Sequence, residues 1–185
     1  MNSKNRKLFI DASLFMGMHS ADEETRRQSV WLMSTYFSAP VHMNLEQVGL
    51  CDEYVWQYER SVQDAYYPFM DVLHSEMDVK RIGYCDGDLD YIYRDYRFEN
   101  STLTLQQKLL MAQVVNHHGL LYTHDKSIRS VESFEPFLGE FEGKTGDLHR
   151  GKPIFSELLD TLYEASRCLI FPFINIPHGG GNYAE

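Results

Sequence analysis

Short apolar runs alternate along the chain with longer stretches in which apolar side chains recur at helical spacing. Residues 8–10, 40–43 and 120–123 have the length and composition of buried strands. Between the first two runs, helical spacing is clear over residues 30–37. Because strands that alternate with helices pair in parallel through right-handed crossovers, the pattern predicts an α/β fold. We expect a central, mainly parallel sheet flanked by helices.

Three predicted helices begin with a capping residue that is followed three positions later by Glu or Gln. The pairs are Ser20 with Glu23, Asn44 with Gln47, and Thr104 with Gln107. The third helix is predicted to end at His117-His118-Gly119, with the glycine as its C-cap. A last helix is predicted from Pro153 to about Ser166, followed by an extended segment at 169–174.

The middle of the chain, residues 61–99, is helical in pattern but is interrupted at 79–84 and at an acidic turn, 86–88. We interpret it as a helical insertion. A length of 185 residues suits one α/β domain. The predicted organisation is a single domain over 1–176 that carries the insertion, followed by a mobile glycine-rich tail at 177–185.

The composition narrows the classes of partner. A formal net charge of −10 argues against broad binding to nucleic acid or anionic membrane. The charge does not exclude a local basic groove that includes Lys126 and Arg129. The three widely spaced cysteines are typical of reduced thiols, which indicates a cytoplasmic protein. Since no apolar stretch approaches the roughly 20 residues of a membrane span, we expect no membrane insertion.

Two aspartates directly follow predicted strands. Asp11 comes after the first strand and Asp125 after the last, and the carboxyl ends of neighbouring parallel strands lie at the edge where α/β folds bind ligands. A third acid is expected from the helix after the second strand. Asp52 shares a helical stripe with apolar residues, which would turn it toward the sheet, whereas Glu46 in the first turn also suits the helix dipole. The simpler interpretation is that Asp11 and Asp125 cap the turns that follow them.

Carboxylates gathered at one edge are the ligands that hard divalent cations prefer. We therefore predict Mg²⁺ or Mn²⁺ held by Asp11, Asp125 and Asp52, with Glu46 as the alternative acid, and hydrolysis of a phosphodiester. Ser13 or Thr123 would position the water or the phosphate, and His124 would contact the substrate. The histidines lack the spacing of a helical zinc motif, so zinc is not favoured, and His117 is interpreted as a helix C-terminal residue.

The chain resembles the PIN-domain family at residues 8–13 (Leu-Phe-Ile-Asp-Ala-Ser) and 119–125 (Gly-Leu-Leu-Tyr-Thr-His-Asp). The resemblance implies a three-layer α/β sandwich and a metal-dependent ribonuclease. It matches Asp11 and Asp125 to the first and last family acids and Asp52 or Glu46 to the second. The third acidic position is Gln107 here, which removes one negative charge, although its amide oxygen still offers a ligand.

The leading hypothesis is therefore a PIN-like ribonuclease that acts on single-stranded RNA. One alternative is a non-catalytic descendant that keeps the sheet edge for binding or for protein interaction. A second alternative is a small-molecule enzyme or accessory protein that uses the same carboxylates. The sequence excludes neither binding to a protein partner nor the formation of a homodimer.

Overall fold

A four-stranded, all-parallel sheet forms the centre of the molecule. The structure is a computed structural model and describes residues 6–99, 101–141 and 154–171. The strands are β1 (Leu8–Ile10), β2 (Val41–Asn44), β3 (Val79–Ile82) and β4 (Leu120–Tyr122). Their order across the sheet is β3-β2-β1-β4. The predicted α/β class and parallel sheet are confirmed.

Helices connect the strands and cover the sheet. They are α1 (Ala12–Gly17), α2 (Glu23–Thr35), α3 (Leu45–Val55), α4 (Arg60–Glu76), α5 (Asp86–Arg94), α6 (Tyr96–Glu99), α7 (Leu105–Asn116), α8 (Lys126–Arg129) and α9 (Glu157–Ser166). A short 3₁₀ helix spans Glu132–Phe137. None of the helices in the described ranges combines the length and the hydropathy that crossing a membrane requires.

Each face of the sheet packs against its own apolar cluster. Leu8 and Ile10 belong to a cluster with residues of α1–α4 and α9, whereas Phe9 belongs to another with residues of α6–α8. This division follows from strand geometry, because successive side chains point to opposite faces. The layers are therefore helices, sheet and helices, the arrangement of a three-layer sandwich.

The segment predicted as a helical insertion contributes a strand to the sheet. Val79–Ile82 pairs in parallel with β2; along the chain, α4 precedes this strand and α5 and α6 follow it. The sequence conceals this strand because Lys80 and Arg81 interrupt the apolar pattern at the edge of the sheet, where a strand has only one neighbour. Residues 61–99 are thus part of the α/β framework as well as a helical region.

Two of the predicted capping boxes differ in the structure. Helix α2 is capped by Asp22, which accepts from the N–H of Thr25, rather than by Ser20. Asn44 caps α3 as predicted, but Gln47 bonds to Ala12 instead of completing the box. The last helix begins at Glu157 rather than at Pro153, because the Ser156 hydroxyl caps it by accepting from the N–H of Leu159. Pro153 itself, the tail at 177–185 and residues 172–174 lie outside the described residues.

The end of α7 shows why Gly119 is a glycine. The N–H groups of His118 and Gly119 bond to the carbonyls of Val115 and Val114, a Schellman arrangement in which His118 has a φ of 50°. The left-handed residue is thus His118, and not the glycine that the sequence predicts. A Cβ at Gly119 would lie 2.5 Å from the Phe9 ring, so this position needs a glycine for space.

We predict that Gly119→Ala lowers the free energy of unfolding by about 1–3 kcal/mol, because the new methyl group overlaps the buried Phe9 ring. Urea denaturation of the variant and the unmodified protein measures the difference. Gly49→Ala is the matched control, since a Cβ at this exposed helical position meets nothing within 4 Å. It should stabilise the fold by about 0.5–1 kcal/mol. Equal stability of the two variants would contradict the packing argument.

Candidate functional site

Asp11 and Asp125 lie at the point where the strand order reverses. From β1 the chain proceeds through β2 to β3 on one side and then returns to β4 on the other side of β1. The crevice beyond the carboxyl ends of β1 and β4 is therefore the topological switch point of the sheet, where open α/β folds place ligands. Asp11 follows β1, and Asp125 follows β4 by three residues.

The carboxylate of Asp11 is buried and hydrogen-bonded on both oxygens. Its exposed fraction is 2%. Oδ1 accepts from Ser13 Oγ at 2.7 Å and from Leu14 N at 2.9 Å, while Oδ2 accepts from Thr123 Oγ1 at 2.5 Å. The bond from Leu14 makes Asp11 the N-cap of α1. Asp11 therefore caps α1 and also lies at the carboxyl edge of the sheet.

Two hydroxyl groups connect the end of β1 to the end of β4. Thr123 Oγ1 donates to Asp11 and accepts from the N–H of Asp125 at 2.9 Å. Ser13 Oγ accepts from the N–H of His124 at 2.8 Å and lies 3.1 Å from Thr123 Oγ1. The residues after β1 and β4 consequently form one hydrogen-bonded cluster.

Asp125 caps α8 and contacts Gln107. Its Oδ1 accepts from the N–H groups of Ser127 and Ile128, and its Oδ2 accepts from Gln107 Nε2 at 2.7 Å. The amide oxygen of Gln107 accepts from Thr104 N at 2.9 Å within the capping box of α7. Gln107 therefore presents its N–H₂ group to Asp125, and its oxygen is directed to the helix terminus.

The acids predicted from α3 lie elsewhere. Asp52 is near Asp71 and Arg81; burial chiefly, and then Asp71, raise its pKa, while Arg81 opposes the rise. Glu46 accepts a hydrogen bond from the Tyr84 hydroxyl at 2.6 Å. The reason is the rotation of α3. Its buried positions are Gln47, Leu50, Cys51 and Val55, and neither Asp52 nor Glu46 is on that stripe.

Gln47 is the residue of α3 that reaches the end of β1, and the sequence analysis treats it only as a capping residue. Its Oε1 accepts from the N–H of Ala12, next to Asp11, at 3.1 Å. The side chain is buried, and Nε2 has no hydrogen-bond partner among the described residues. A glutamine on the same helical stripe as Leu50 and Cys51 is the sequence signal that identifies it.

His124 belongs to the cluster through its backbone, but its ring points into the protein. The ring stacks on Phe141 with centroids 4.7 Å apart, and Nε2 lies 2.9 Å from Ser29 Oγ. Burial, with a smaller contribution from Arg129, lowers the pKa of His124 to about 4. The imidazole is therefore neutral near pH 7 and offers no positive charge to a phosphate.

One group of three potential metal-binding side chains comes together in the part of the chain that the structure describes. The ligand atoms of Cys85, Asp88 and His117 all lie within 4.8 Å of one another. Asp11, Asp125 and Asp52 form no such group among the described residues. The fold thus gathers one possible metal-binding triad, and it does so away from the predicted acids.

The electrostatics of Asp11 lead to a pH prediction. Burial raises the pKa of Asp11 to about 6, and the charge of Asp125 adds to the rise, while bonds from Thr123, Ser13 and Leu14 oppose it. Since the folded protein holds this proton more tightly than the unfolded chain, the associated stability is complete below the ordinary aspartate pKa of 3.8. It is lost as the pH rises through about 6.

We therefore predict that Asp11→Asn becomes more stable relative to the unmodified protein as the pH rises from 4 to 7, by up to about 3 kcal/mol. The comparison uses urea denaturation in buffers that contain a chelator. Taking the difference between the two proteins at each pH cancels the titration of other groups. A difference that does not change with pH would show that Asp11 titrates normally.

Comparison with known proteins identifies a family for this chain. Neither the curated proteins nor the solved structures include a chain that matches this one. Residues 1–175 match the model of a protein family. The match covers nearly the whole chain, including the ends of β1 and β4 and the Cys85–Asp88–His117 triad. The chain belongs to the family described as "Family of unknown function (DUF6190)".

Proposed function

We propose that this chain is a PIN-like ribonuclease that hydrolyses single-stranded RNA with Mg²⁺ or Mn²⁺ bound at Asp11 and Asp125. The observation that carries the proposal is the Thr123 hydroxyl, which bonds to Asp11 Oδ2 and to the N–H of Asp125 at the switch point. This hydroxyl joins Asp11 and Asp125, the two acids that match the PIN-domain pattern, in one hydrogen-bonded cluster. The choice of RNA as substrate comes from the resemblance alone.

The donor set fits a single hard cation. Carboxylate oxygens are the ligands that Mg²⁺ and Mn²⁺ prefer. A buried Asp11 whose pKa is about 6, beside a second carboxylate, is an unfavourable place for negative charge, and a cation would relieve the repulsion. Gln107 and Gln47 add no charge, so we expect weaker binding than a site with three or four acids would give.

The chemistry divides between the ion and the chain. A bound divalent cation polarises a phosphoryl oxygen and lowers the pKa of a coordinated water. Ser13 and Thr123 hold the Asp11 carboxylate in a fixed orientation through their hydroxyl groups. Lys126 is exposed and follows Asp125 directly, so it provides positive charge for the phosphate backbone beside the acids. Arg129 adds charge nearby, although its Nη1 already donates to the carbonyls of Thr123 and Gly139.

The first test measures Mn²⁺ binding by calorimetry and cleavage of a labelled single-stranded RNA. We expect the unmodified protein to bind one Mn²⁺ and to cleave, and Asp11→Asn to lose both, because the variant removes one of the two carboxylates. Asp52→Asn is the matched control. It makes the same substitution at an acid that lies near Asp71 and Arg81, and it should keep both activities.

Circular dichroism of each variant establishes that loss of activity is not loss of fold. Cleavage that persists in Asp11→Asn would refute the proposal, as would cleavage that does not require a divalent ion. An equal loss in Asp52→Asn would place the ion elsewhere on the protein.

A second candidate function is recognition of RNA without hydrolysis. It is favoured by the two glutamines at the edge, because both turn their amide oxygens toward backbone N–H groups. Gln107 therefore directs N–H donors at Asp125, and the Gln47 Nε2 donor is buried with no partner in the described residues. These side chains therefore add N–H donors to the edge instead of further oxygen ligands for a cation, which favours binding without a metal ion over metal-dependent hydrolysis.

In this second case, RNA binding measured by fluorescence anisotropy should be the same with chelator and with Mn²⁺. Gln107→Glu should weaken binding by about ten-fold or more, because it replaces an N–H donor with a negative charge while keeping the Thr104 capping box. Gln57→Glu makes the same change of charge at an exposed position and should have little effect. RNA binding that needs Mn²⁺ and strengthens in Gln107→Glu would instead favour the nuclease.

A further inference from the structure

Cys85 occupies a position where cysteine is unusual. It is the N-cap of α5, a position that Ser, Thr, Asp and Asn normally occupy. Its side chain is free and exposed, whereas unpaired cysteines are among the most buried residues of proteins. The thiol takes part in the capping box of α5 with Asp88, and its sulfur lies 3.9 Å from Asn116 Nδ2. A thiol is a weaker hydrogen-bonding group than the oxygens usually found at an N-cap, so capping alone does not explain the choice of cysteine.

The helix that Cys85 begins packs against the end of α7. Asp88, in the first turn of α5, has an exposed fraction of 0%. Its Oδ1 accepts from Asn116 Nδ2 at 2.7 Å and lies 3.6 Å from Nε2 of His117, the C-cap of α7. Its Oδ2 accepts from the N–H of Cys85 at 2.9 Å and from Gln113 Nε2 at 3.3 Å.

These donors keep Asp88 in its charged form. Burial acts to raise the pKa of Asp88, but the bonds from Asn116, Cys85 and Gln113 outweigh it and hold the pKa below the usual value. A buried, oriented carboxylate with a nearby thiol and imidazole is therefore already ionised at neutral pH. It is a ligand that needs little rearrangement.

We propose that Cys85 Sγ, a carboxylate oxygen of Asp88 and His117 Nε2 form a binding site for Zn²⁺ or a similar borderline cation such as Co²⁺. The three ligand atoms lie within 4.8 Å of one another, so a small inward movement brings all three to bonding distance. One sulfur, one nitrogen and one oxygen ligand suit Zn²⁺ and do not suit Mg²⁺, which requires oxygen.

Three protein ligands leave one tetrahedral position open. Cys85 is exposed and His117 is partly exposed, so this position faces solvent. A cavity of about 560 Å³ lies nearby, lined in part by Gly87 and by Asn116, whose Nδ2 is 3.9 Å from Cys85 Sγ. The three ligands themselves are not part of its lining. A solvent molecule can complete the coordination from the exposed side of the triad.

This site is separate from the sheet edge at Asp11 and Asp125. Gln107 contacts Asp125 at the start of α7, and His117 lies ten residues further along the chain, or about 15 Å along the helix axis. An ion at the triad therefore cannot take part in chemistry at Asp125. The two proposals can fail or succeed independently.

Lys7 lies beside the second ring nitrogen of His117. Its Nζ lies 3.3 Å from His117 Nδ1, and since an ammonium group only donates, Nδ1 accepts and the ring proton lies on Nε2, toward Asp88. Metal binding at Nε2 requires this proton to leave or to move to Nδ1, and it requires the Cys85 thiol to lose its proton as well. Binding should therefore release protons and strengthen as the pH rises.

The test titrates the full chain, reduced and free of metal, with Co²⁺ and then displaces the Co²⁺ with Zn²⁺. We expect one ion per chain and a near-ultraviolet charge-transfer band from a Co²⁺–thiolate bond. Cys85→Ser should lose the band. It should also weaken Zn²⁺ affinity by more than roughly 100-fold, because losing a residue that only hydrogen-bonds to a metal ligand already costs about 10- to 100-fold. Cys168→Ser is the matched control, because Cys168 is also a free, exposed thiol, and it should change neither quantity.

Two more variants test the ligand His117 and its neighbour Lys7. His117→Gln should weaken Zn²⁺ binding and keep the Co²⁺–thiolate band. Lys7→Gln should strengthen binding about ten-fold, because the new amide oxygen accepts a proton from Nδ1 and an opposing charge is removed. The absence of a charge-transfer band in the unmodified protein would overturn the proposal. A band that survives Cys85→Ser would also overturn it, since it would place the ion on another cysteine.

Discussion

A carboxylate buried beside a sheet needs hydrogen-bond donors, and the way Asp11 obtains them organises the candidate edge of this fold. One donor is Leu14 N, in the first turn of α1, the helix that directly follows Asp11. Another is the Thr123 hydroxyl, which belongs to the residues after β4. The side chain therefore fixes the direction of the chain after β1 and joins β1 to β4. A residue with this structural role can also carry chemistry, because the same contacts that cap the helix hold the carboxylate in place.

The rotation of one helix decides which side chains accompany Asp11. Helix α3 could have presented Asp52, Glu46 or Gln47 to the end of β1, since all three lie within two turns. The bond from Ala12 N to Gln47 Oε1 selects the third. The edge then contains two carboxylates and two amides, and its negative charge is smaller than the sequence suggests. This difference decides how strongly a cation can be held and makes binding without hydrolysis a serious alternative.

The sequence predicts what depends on neighbours along the chain. Asp11 and Asp125 are identified correctly as strand-end and capping residues, because both properties follow from the local pattern. The strand at Val79–Ile82 is missed because its charged residues suit an edge and hide the apolar pattern. The position of Gln47 is missed because Asp52 also shares a helical stripe with apolar residues, and the spacing favours that stripe over the one that is buried. The triad at Cys85 is missed because its members come together only when α5 packs against α7.

Helix α7 is where local and distant contacts meet. Gln107 at its start contacts Asp125, and His117 at its end lies beside Asp88. Between them, the fully buried Gln113 accepts from Asn44 Nδ2 and donates to the carbonyl of Gly83. A helix transmits an axial displacement along its whole length, because its backbone hydrogen bonds make it stiff. Any movement of α7 therefore changes the distances at both candidate sites together, and its polar contacts, spaced along its length, are what hold those distances fixed.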